Sequence, residues 1–512
     1  MSSKVYSAAI IGLEALPVEV EVDISGGLSL FNIVGLPDKA VEESKERVNA
    51  ALRNSSVVAP QSKSQRIVVN LAPADLKKQG SLYDLPIAVG YLLASKQVDF
   101  SSEGKMFCGE LSLNGELRHV NGVLALADLA KRRGFEELFV PEIDADEASL
   151  MGGIAIISVK DIKSLINHFN GTATIIPTMN NNLFNELSST EFVEDGLDFS
   201  YVKGQETAKR ALELAAAGGH NVIFSGSPGS GKTILARSFA TILPKMDADE
   251  ALEVTRIFSV AGLLSSEQPL LVDRPFRSPH HSSSSISLVG GGSYPKPGEV
   301  TLAHRGVLFL DEFPEFPRKA LEALRQPLED GHVTISRAAG TIKFPANFIL
   351  VAAMNPCPCG YLNDSAKECI CTPSQTARYK RRVSGPILDR IDIHVNVARV
   401  EYDKLTSNDS SENSRGIRKR VEIARTLQRN RFKSSKTKLN SEMNNLQIKK
   451  YCELDNVSVQ IMKSAVNQYS LSARSYFRTL KVARTIADLL KSSKIEQSHL
   501  AEAIQYRVQE DN

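Results

Sequence analysis

Runs of consecutive apolar residues in the middle of the chain predict strands that are buried on both faces. These runs end at Phe224, Leu310 and Ala353, and a glycine-rich or polar segment follows each of them. A strand in a parallel sheet carries an unbroken apolar run because helices cover both of its faces. We therefore predict an α/β core with a parallel sheet over residues 197–400.

The segments on either side of this core have different patterns. Residues 1–170 mix strand and helix periodicities and predict a separate α/β domain, and the polar residues 171–196 predict a linker. Residues 401–416 have no apolar face and predict a hinge. Apolar residues between Leu480 and Leu490 recur at three- and four-residue steps, which predicts a helical lid over residues 417–508.

Composition narrows the class of protein. The 512 residues include 61 basic and 59 acidic side chains, so the net charge is only +2, and 42% of the residues are hydrophobic. Any binding of nucleic acid must therefore come from local patches. No apolar run approaches the roughly 18 residues that a membrane-spanning helix needs, and the start lacks the apolar core of a secretion signal. We expect a cytoplasmic protein without a membrane partner.

A complete phosphate-binding loop follows the first buried strand. Residues 226–233 read GSPGSGKT, which matches the pattern G-x-x-x-x-G-K-[ST], and a helical pattern follows at once. The glycines let backbone N–H groups point at phosphate oxygens, and the start of the helix adds partial positive charge. The residues expected to bind ATP are Gly226, Ser227, Pro228, Gly229, Ser230, Gly231, Lys232 and Thr233.

The other two buried strands end in polar side chains that suit ATP hydrolysis. Asp311 and Glu312 follow the second strand, and Asn355 follows the third. Because parallel strands end at one edge of a sheet, these side chains should meet the phosphate loop. We expect Asp311 and the Thr233 hydroxyl to bind Mg²⁺. Glu312 is then the expected general base and Asn355 the group that orients the attacking water. For Asn355 the alternative is a turn residue before a proline.

Four cysteines lie close together directly after this asparagine, with the spacing C-x-C-x9-C-x-C. Thiolates at this density favour one tetrahedral Zn²⁺, although one residue within each pair is tighter than the usual two to four. An unmetallated thiol cluster and a redox pair are the alternatives. The expected zinc ligands are Cys357, Cys359, Cys369 and Cys371.

A basic cluster follows the cysteines. Residues 378–382 read RYKRR, so that four positive charges accompany one aromatic ring. Polynucleotide binding uses phosphate contacts and ring stacking, whereas a solvated surface is the alternative. The side chains expected to contact DNA here are Arg378, Lys380, Arg381 and Arg382. Before them, a helix is predicted over Arg318–Asp330 and a projecting β-hairpin over residues 333–344.

These motifs together resemble a known family. Gly204-Gln205-Glu206, the phosphate loop, the acidic pair and the string LDRID at 388–392 look like an AAA+ ATPase of the magnesium-chelatase-like clade. The strings RPFRSPHH at 274–281 and LVGGG at 288–292 are similar to those of the ComM (YifB-like) family, and the match covers nearly the whole chain. The resemblance implies an ATP-dependent hexameric ring that acts on branched DNA in homologous recombination or natural transformation, with recombination proteins as candidate partners.

The resemblance also implies roles for single residues. Gly204 and Gln205 would lie near the adenine, and Arg390 would enter the active site of a neighbouring subunit. Arg474 would be the second sensor arginine on the lid, with Arg478 as its competitor. The alternative for Arg390 is a salt bridge to the aspartates beside it. On the hairpin, the residues that resemble the DNA-contacting loop of related ring motors are Ser336, Arg337 and Lys343.

The first domain looks like the Lon-protease-type domain, on the basis of residues 77–88 and 115–123. A serine–lysine peptidase needs a nucleophile and an amine to deprotonate it. Those two positions fall on Asp84 and Leu126, and Ser81 has no evident lysine partner. We therefore expect the fold without peptidase chemistry.

Two other functions compete with a DNA motor. A metal-insertion motor of the magnesium-chelatase type would have no affinity for DNA and would need cognate subunits. A protein-remodelling chaperone or protease would need peptidase machinery that the first domain lacks. The basic residues favour nucleic acid.

Overall fold

The computed structural model describes residues 2–178, 197–292, 295–337, 340–362, 364, 367–400, 412–435 and 437–507. Backbone contacts group the chain into two compact units. The N-terminal unit comprises Met1–Thr190 together with Asp247–Val272, and the P-loop unit comprises Glu191–Met246 and Asp273–Asn512. None of the helices in the described part of the chain is both long enough and apolar enough to cross a bilayer.

The N-terminal unit is built on a seven-stranded mixed sheet with the order β3-β4-β2-β1-β5-β8-β9. The long hairpin of β1 and β2 and the pair β2–β4 are antiparallel, whereas the remaining pairs are parallel. The strands of this unit are β1 (Ser2–Ile11), β2 (Glu14–Gly26), β3 (Leu30–Val34), β4 (Gln65–Ala72), β5 (Lys105–Phe107), β6 (Glu110–Leu111), β7 (Leu117–Arg118), β8 (Glu137–Pro141) and β9 (Ala155–Val159).

Helices pack on this sheet around a core of aliphatic and aromatic side chains. The most buried of them is α3, whose residues are almost all apolar and inaccessible to solvent. The first six helices are α1 (Lys39–Glu42), α2 (Ser44–Asn54), α3 (Asp84–Ala94), α4 (Val123–Arg133), α5 (Ala145–Ser149) and α6 (Ile162–Phe169).

The P-loop unit contains a five-stranded sheet with the order β11-β14-β17-β10-β18, and all of its pairs are parallel. This arrangement confirms the parallel sheet that the apolar runs predict. The strands of this unit are β10 (Val222–Ser225), β11 (Phe276–Arg277), β12 (Gly290–Gly291), β13 (Lys296–Pro297), β14 (Val307–Leu310), β15 (His332–Arg337), β16 (Gly340–Pro345), β17 (Ile349–Met354) and β18 (Ile393–Asn396).

The helical C-terminal region shares one core with this sheet. A buried carboxylate, Asp488, ties it together by pairing with Arg431 and Arg484. The remaining helices are α7 (Glu206–Gly218), α8 (Lys232–Ile242), α9 (Ala248–Ala261), α10 (Ser285–Val289), α11 (Glu299–Leu302), α12 (Arg318–Ala323), α13 (Arg325–Asp330), α14 (Pro373–Lys380), α15 (Gly385–Leu388), α16 (Ser414–Arg431), α17 (Asn445–Tyr451), α18 (Asn456–Gln468), α19 (Ala473–Leu489) and α20 (Gln497–Gln505).

Helix α9 belongs to the N-terminal unit, although it follows the P-loop helix in the chain. The hydroxyl of Ser259 on α9 donates to the carboxylate of Glu147 at 2.5 Å, and the backbone N–H of Leu124 donates to the same oxygen at 2.8 Å. Arg256 pairs with Asp128 at 3.3 Å. Burial raises the pKa of Glu147 to about 7, although its two hydrogen-bond donors act in the opposite direction.

Two local features differ from the sequence prediction. The helix predicted over Arg318–Asp330 is two helices that meet at Leu324. Pro327 explains the break, because it has no N–H to bond to the carbonyl four residues earlier. Helix α16 begins at Ser414, within the range predicted for the hinge, whereas residues 401–411 of that range lie outside the described residues.

Candidate nucleotide-binding site

The phosphate loop joins β10 to α8 and has the backbone that its glycines permit. Gly231 has a φ of +91° at the start of the helix, in the left-handed region that favours glycine. A Cβ on Gly226 would lie 2.3 Å from the carbonyl oxygen of Val397, so that position has no room for a side chain. The sequence pattern therefore produces a tight loop at the end of a central strand.

Lys232 lies across this loop. Its ammonium group donates to the carbonyl oxygens of Gly226 at 2.7 Å and Ser227 at 2.9 Å, and to the Asn355 side chain at 3.3 Å. Burial lowers the pKa of Lys232, and the charge of Asp311 partly opposes this shift. The contact with Asn355 shows that β17 delivers the amide to the loop.

Oxygen ligands suitable for a magnesium ion meet beside the loop. The Thr233 hydroxyl donates to a carboxylate oxygen of Asp311 at 2.9 Å. The second carboxylate oxygen of Asp311 accepts from the backbone N–H of Glu312 at 2.9 Å. Hydroxyl and carboxylate oxygens are the donors that Mg²⁺ prefers, so this pair fits the ion.

The carboxylate of Glu312 has a neighbour that the sequence did not indicate. His281 Nδ1 lies 2.9 Å from Glu312 Oε2, and both side chains are partly exposed. Glu312 itself has a φ of +51°, an uncommon conformation for a residue with a side chain. A histidine from the segment after β11 thus contacts the expected general base.

Gln205 reaches the other side of the loop. Its side-chain amide donates to the carbonyl oxygens of Ser230 at 3.2 Å and Ala398 at 2.5 Å. Gly204 precedes it, and both residues have positive φ values. The turn that they form therefore connects the phosphate loop to the segment after β18.

Comparison with known proteins agrees with this geometry. Residues 198–405 match the family described as "Magnesium chelatase, subunit ChlI", residues 20–144 match "Subunit ChlI of Mg-chelatase", and residues 411–507 match "Magnesium chelatase, subunit ChlI C-terminal". The competence protein ComM of Haemophilus influenzae is 43% identical over 507 residues, which cover 98% of this chain and 97% of that protein. The chain belongs to the ComM (YifB-like) family of magnesium-chelatase-like AAA+ ATPases.

Two further relatives show how far the similarity extends. The uncharacterized protein YifB of Escherichia coli is 40% identical over 509 residues, which cover 99% of this chain and 97% of that protein. The magnesium-chelatase 38 kDa subunit of Cereibacter sphaeroides is 29% identical over 174 residues, or 31% of this chain and 52% of that protein. Membership of the ComM family supports ATP and Mg²⁺ as ligands, and it confirms the resemblance expected from the motifs.

The expected finger arginine, Arg390, and the expected lid sensor, Arg474, share one partner. Arg390 and Arg474 both pair with Glu329 at the end of α13, Arg474 at 2.7 Å. Arg390 is 8% exposed and also donates to the carbonyl oxygen of Pro386 at 2.6 Å. The hydrogen bond from Arg390 is the main reason that the pKa of Glu329 is lowered. In the single chain Arg390 is therefore an internal ion-pair partner.

The ion pairs of Arg390 and Arg478 in the structure differ from the alternative that the sequence suggests. Arg390 does not pair with Asp392 but with Glu329, 61 residues away. Buried Asp392 instead accepts from Arg478 at 2.5 Å and lies 3.6 Å from His220. Burial would raise the pKa of Asp392, but Arg478 and His220 hold it well below its usual range. Arg478 thus has a structural partner, which leaves Arg474 as the more exposed candidate sensor.

The four predicted zinc ligands come together. Their sulfur atoms all lie within 4.8 Å of one another, and three of the separations are 3.4, 3.6 and 3.7 Å. Zn–S bonds of about 2.3 Å in a tetrahedron place sulfurs about 3.8 Å apart, so the cluster fits one zinc ion. All six cysteines of the chain are free thiols.

The basic residues are divided between two places. Strands β15 and β16 form the predicted hairpin, with Ser336 and Lys343 exposed; its turn at residues 338–339 and the side chain of Arg337 lie outside the described residues. In the second place, arginines line a cleft of about 490 Å³. The residues that line this arginine cleft are Pro314, Glu315, Phe316, Arg318, Arg378, Arg381 and Arg382.

One expectation for the basic cluster is wrong. Tyr379 is not an exposed stacking ring, because only 6% of it is accessible and its hydroxyl bonds to the backbone of Asn355. Helical periodicity explains the difference: the neighbours Arg378 and Lys380 are exposed on other faces of α14. The arginines remain exposed, but without an aromatic partner for bases at this position.

Sequence reasoning also missed contacts that join distant residues. From the sequence, no role was assigned to His281 or to Glu329. Both act through partners at least 31 residues away, Glu312 and Arg390. The only available signal was the location of His281 in a family string.

Proposed function

We propose that this ComM-family ATPase is a DNA motor: it assembles as a hexameric ring in the cytoplasm and drives branch migration of branched DNA during recombination or transformation. The comparisons give ATP hydrolysis; DNA as the substrate is the proposed step. The arginine cleft beside the catalytic carboxylate is the observation that carries it.

The residues around the loop have distinct parts in hydrolysis. Lys232 exchanges its carbonyl partners for phosphate oxygens, which are stronger acceptors because they are charged. Thr233 and Asp311 would hold Mg²⁺, which neutralises phosphate charge when bound. Glu312 accepts a proton from the attacking water, and Asn355 orients that water.

The arginine cleft is linked to this chemistry through one short turn. The 3₁₀ turn Phe313–Glu315 directly follows Glu312, and Glu315 pairs with Arg382 at 2.5 Å. A DNA phosphate in the cleft competes with Glu315 for Arg382. DNA that binds in the cleft therefore acts on the turn that directly follows the general base. This link favours DNA over a substrate that binds far from the nucleotide site.

Two assignments complete the proposal. We assign one Zn²⁺ to the four-cysteine cluster, because its donors and sulfur separations fit that ion. In the ring, Arg390 leaves Glu329 and stabilises charge on the nucleotide of the neighbouring subunit, as arginine fingers do. The exposed hairpin residues Ser336 and Lys343 give further backbone contacts to DNA.

A comparison of ATP turnover with and without DNA tests the proposal. We expect four-way or forked DNA to stimulate ATP turnover more than linear duplex does. Branch migration of a labelled four-way junction should occur only in the presence of ATP. Glu312→Gln controls for hydrolysis because it retains the binding loop. If the assembled, ATP-bound protein neither binds DNA nor responds to it, the DNA function is wrong, and a metal-insertion or protein-remodelling role gains.

A second experiment tests action between subunits. Arg390→Ala and Lys232→Ala proteins should each be inactive, since one lacks the finger and the other the phosphate contact. Mixed rings should regain part of the activity, because some interfaces then combine an intact loop with an intact arginine. Activity that stays absent in proven mixed rings would show that Arg390 acts only within its own chain.

A further inference from the structure

The segment that carries the four cysteines starts at the nucleotide site. Asn355 at its start contacts Lys232 of the phosphate loop at 3.3 Å. Tyr379 on α14, after the last cysteine, is buried and bonds through its hydroxyl to the backbone of Asn355. In the cysteine segment, residues 355–382, the part after the last cysteine thus returns to Asn355, the residue expected to orient water.

Gly360 of the cysteine segment packs on the phosphate loop. Gly360 has a φ of +84°, and a Cβ added to it would lie 2.5 Å from Cδ of Pro228. Pro228 belongs to the GSPGSGKT loop itself. The backbone at Gly360 therefore sits directly against the loop that surrounds the phosphates, at a distance that no side chain permits.

Little else holds this part of the chain in place. The described residues between Met354 and Pro373 form no helix or strand. Besides the packing of Gly360 on Pro228 and local turn hydrogen bonds, they are held by the sulfur cluster, in which Cys357 is fully buried, and by the N–H of Cys359, which donates to the sulfur of Cys371 at 3.3 Å. A metal ion that crosslinks four thiolates supplies the ordering that such a segment lacks.

The far end of the cysteine segment forms the wall of the arginine cleft. Arg378, Arg381 and Arg382 are contributed by α14 and the residues directly after it. Helix α14 starts at Pro373, two residues after the last cysteine. Contacts therefore link Pro228 to the cysteine segment at Gly360, and the same segment supplies the sulfur cluster and the arginines that face the cleft.

We propose that the metal in the four-cysteine site couples the nucleotide pocket to the arginine cleft. With the metal bound, the segment holds Asn355 and Pro228 in place for nucleotide and presents the arginines to DNA phosphates. Without it, nucleotide binding weakens and the cleft no longer affects hydrolysis. The DNA half rests on the proposed function, whereas the nucleotide half stands without it.

Linkage makes this inference measurable without any DNA. If metal strengthens nucleotide binding by a given factor, nucleotide strengthens metal binding by the same factor. We expect a factor of roughly ten, within the usual range for coupled sites. At equilibrium with a competing chromogenic chelator, a non-hydrolysable ATP analogue should therefore increase the share of zinc that stays on the protein.

The experiment uses the full-length protein and two variants. Elemental analysis should find about one zinc per chain in wild type and none in Cys369→Ser. The affinity for a fluorescent ADP analogue should fall roughly tenfold in Cys369→Ser and in chelated wild type, and zinc should restore the latter. Cys452→Ala, which removes a thiol outside the cluster, should retain zinc and affinity.

Gly360→Ala separates the coupling from the metal. Its methyl group strikes Pro228 but leaves all four sulfurs, so zinc should remain while nucleotide affinity falls. Gly134→Ala is the matched control, because Gly134 also has a positive φ, +75°, and nothing lies within 4 Å of the added carbon. Normal zinc content with unchanged nucleotide affinity in Gly360→Ala, or unchanged affinity in zinc-free Cys369→Ser, would overturn the inference.

The outcomes distinguish this inference from the proposed function. Wild-type protein that ignores DNA but shows zinc-dependent nucleotide affinity refutes the DNA motor and keeps the nucleotide half of the coupling. DNA-stimulated turnover that persists in full without zinc keeps the motor and refutes the coupling. A four-cysteine cluster that binds no metal refutes this inference and the zinc assignment, and it leaves the DNA motor untouched.

Discussion

The N-terminal unit and the P-loop unit use their polar side chains differently. In the N-terminal unit, buried Asp84 accepts two hydrogen bonds from Arg47, at 2.6 and 2.9 Å, and one from the backbone of Leu111 at 3.1 Å. In the P-loop unit, Asp311 and Glu312 lie at the end of a buried strand and remain accessible to solvent. Polar groups satisfied inside a unit maintain its fold, whereas accessible groups at a strand end can act on a ligand.

The comparison also bears on the expectation that the first domain has no peptidase chemistry. Asp84 occupies the position where a nucleophile is expected, and its carboxylate forms an ion pair with Arg47. Leu126 occupies the position of the amine and is buried in the apolar core. Ser81 donates to Glu110 and not to a lysine. The side chains at these positions therefore stabilise the unit.

The largest expected effect comes from the phosphate loop. Lys232→Ala removes the ammonium that would contact the terminal phosphates, so ATP turnover should fall by about 10² to 10³-fold, as for other preorganised charge contacts. Thermal unfolding should change little, because burial disfavours the charged ammonium of Lys232 in the folded protein and offsets the loss of its hydrogen bonds. Turnover within tenfold of wild type would place catalysis elsewhere.

Breaking the ion pair of the N-terminal unit should affect stability and not chemistry. Asp84→Ala leaves the Arg47 guanidinium without its buried partner, and such losses cost about 3–5 kcal/mol. The midpoint of urea unfolding for this unit should drop accordingly, with Asp99→Ala, at the surface, as the control. If instead stability holds and ATP turnover disappears, the division between the two units is wrong.

The stability of the N-terminal unit should also depend on pH through Glu147. Its pKa in the folded protein, about 7, lies above that of an unfolded glutamate, so the folded state binds the proton more tightly. This contribution is complete below about pH 4.5 and is lost as the pH rises through 7, for an effect of about 3 kcal/mol. Glu147→Gln should flatten this part of the profile, measured by urea unfolding between pH 5 and 8. His119, whose pKa is raised to about 9 by its hydrogen bond with Asp144, is present in both proteins, so its contribution cancels in the difference.

The smallest expected effect concerns the arginine cleft. Arg382→Ala should weaken DNA binding a few-fold and reduce the slope of log affinity against log salt by about one, because one phosphate contact is lost. Arg133→Ala, an exposed arginine of the N-terminal unit, should leave both values unchanged. Equal effects of the two variants would mean that the cleft is not the DNA site.

Much of the P-loop unit could be predicted from sequence because its signals are local. Unbroken apolar runs marked strands β10, β14 and β17, and the motif between residues 226 and 233 marked the loop. The cysteine spacing likewise indicated a cluster that the structure brings together. In each case the residues that determine the feature are neighbours in the chain.

What escaped prediction depends on contacts across the chain. The helical spacing of apolar residues in α9 predicts that one face of this helix is buried. It does not indicate that this face packs within the N-terminal unit. The pairing of Glu329 with Arg390 and Arg474 joins three separate segments, and the burial of Tyr379 depends on where α14 returns to β17. Tertiary packing decides these features, and local patterns in a single sequence do not reveal which distant segments meet.

The assignment of α9 to the N-terminal unit has a practical consequence for dissecting the molecule. A fragment that starts at Leu197 would keep Ser259 and Arg256 but lose Glu147 and Asp128, their partners. Val260, which packs against the N-terminal core, would face water in that fragment. A cut at the linker therefore yields two incomplete pieces, and a soluble ATPase fragment requires that Asp247–Val272 be replaced by a short polar connector.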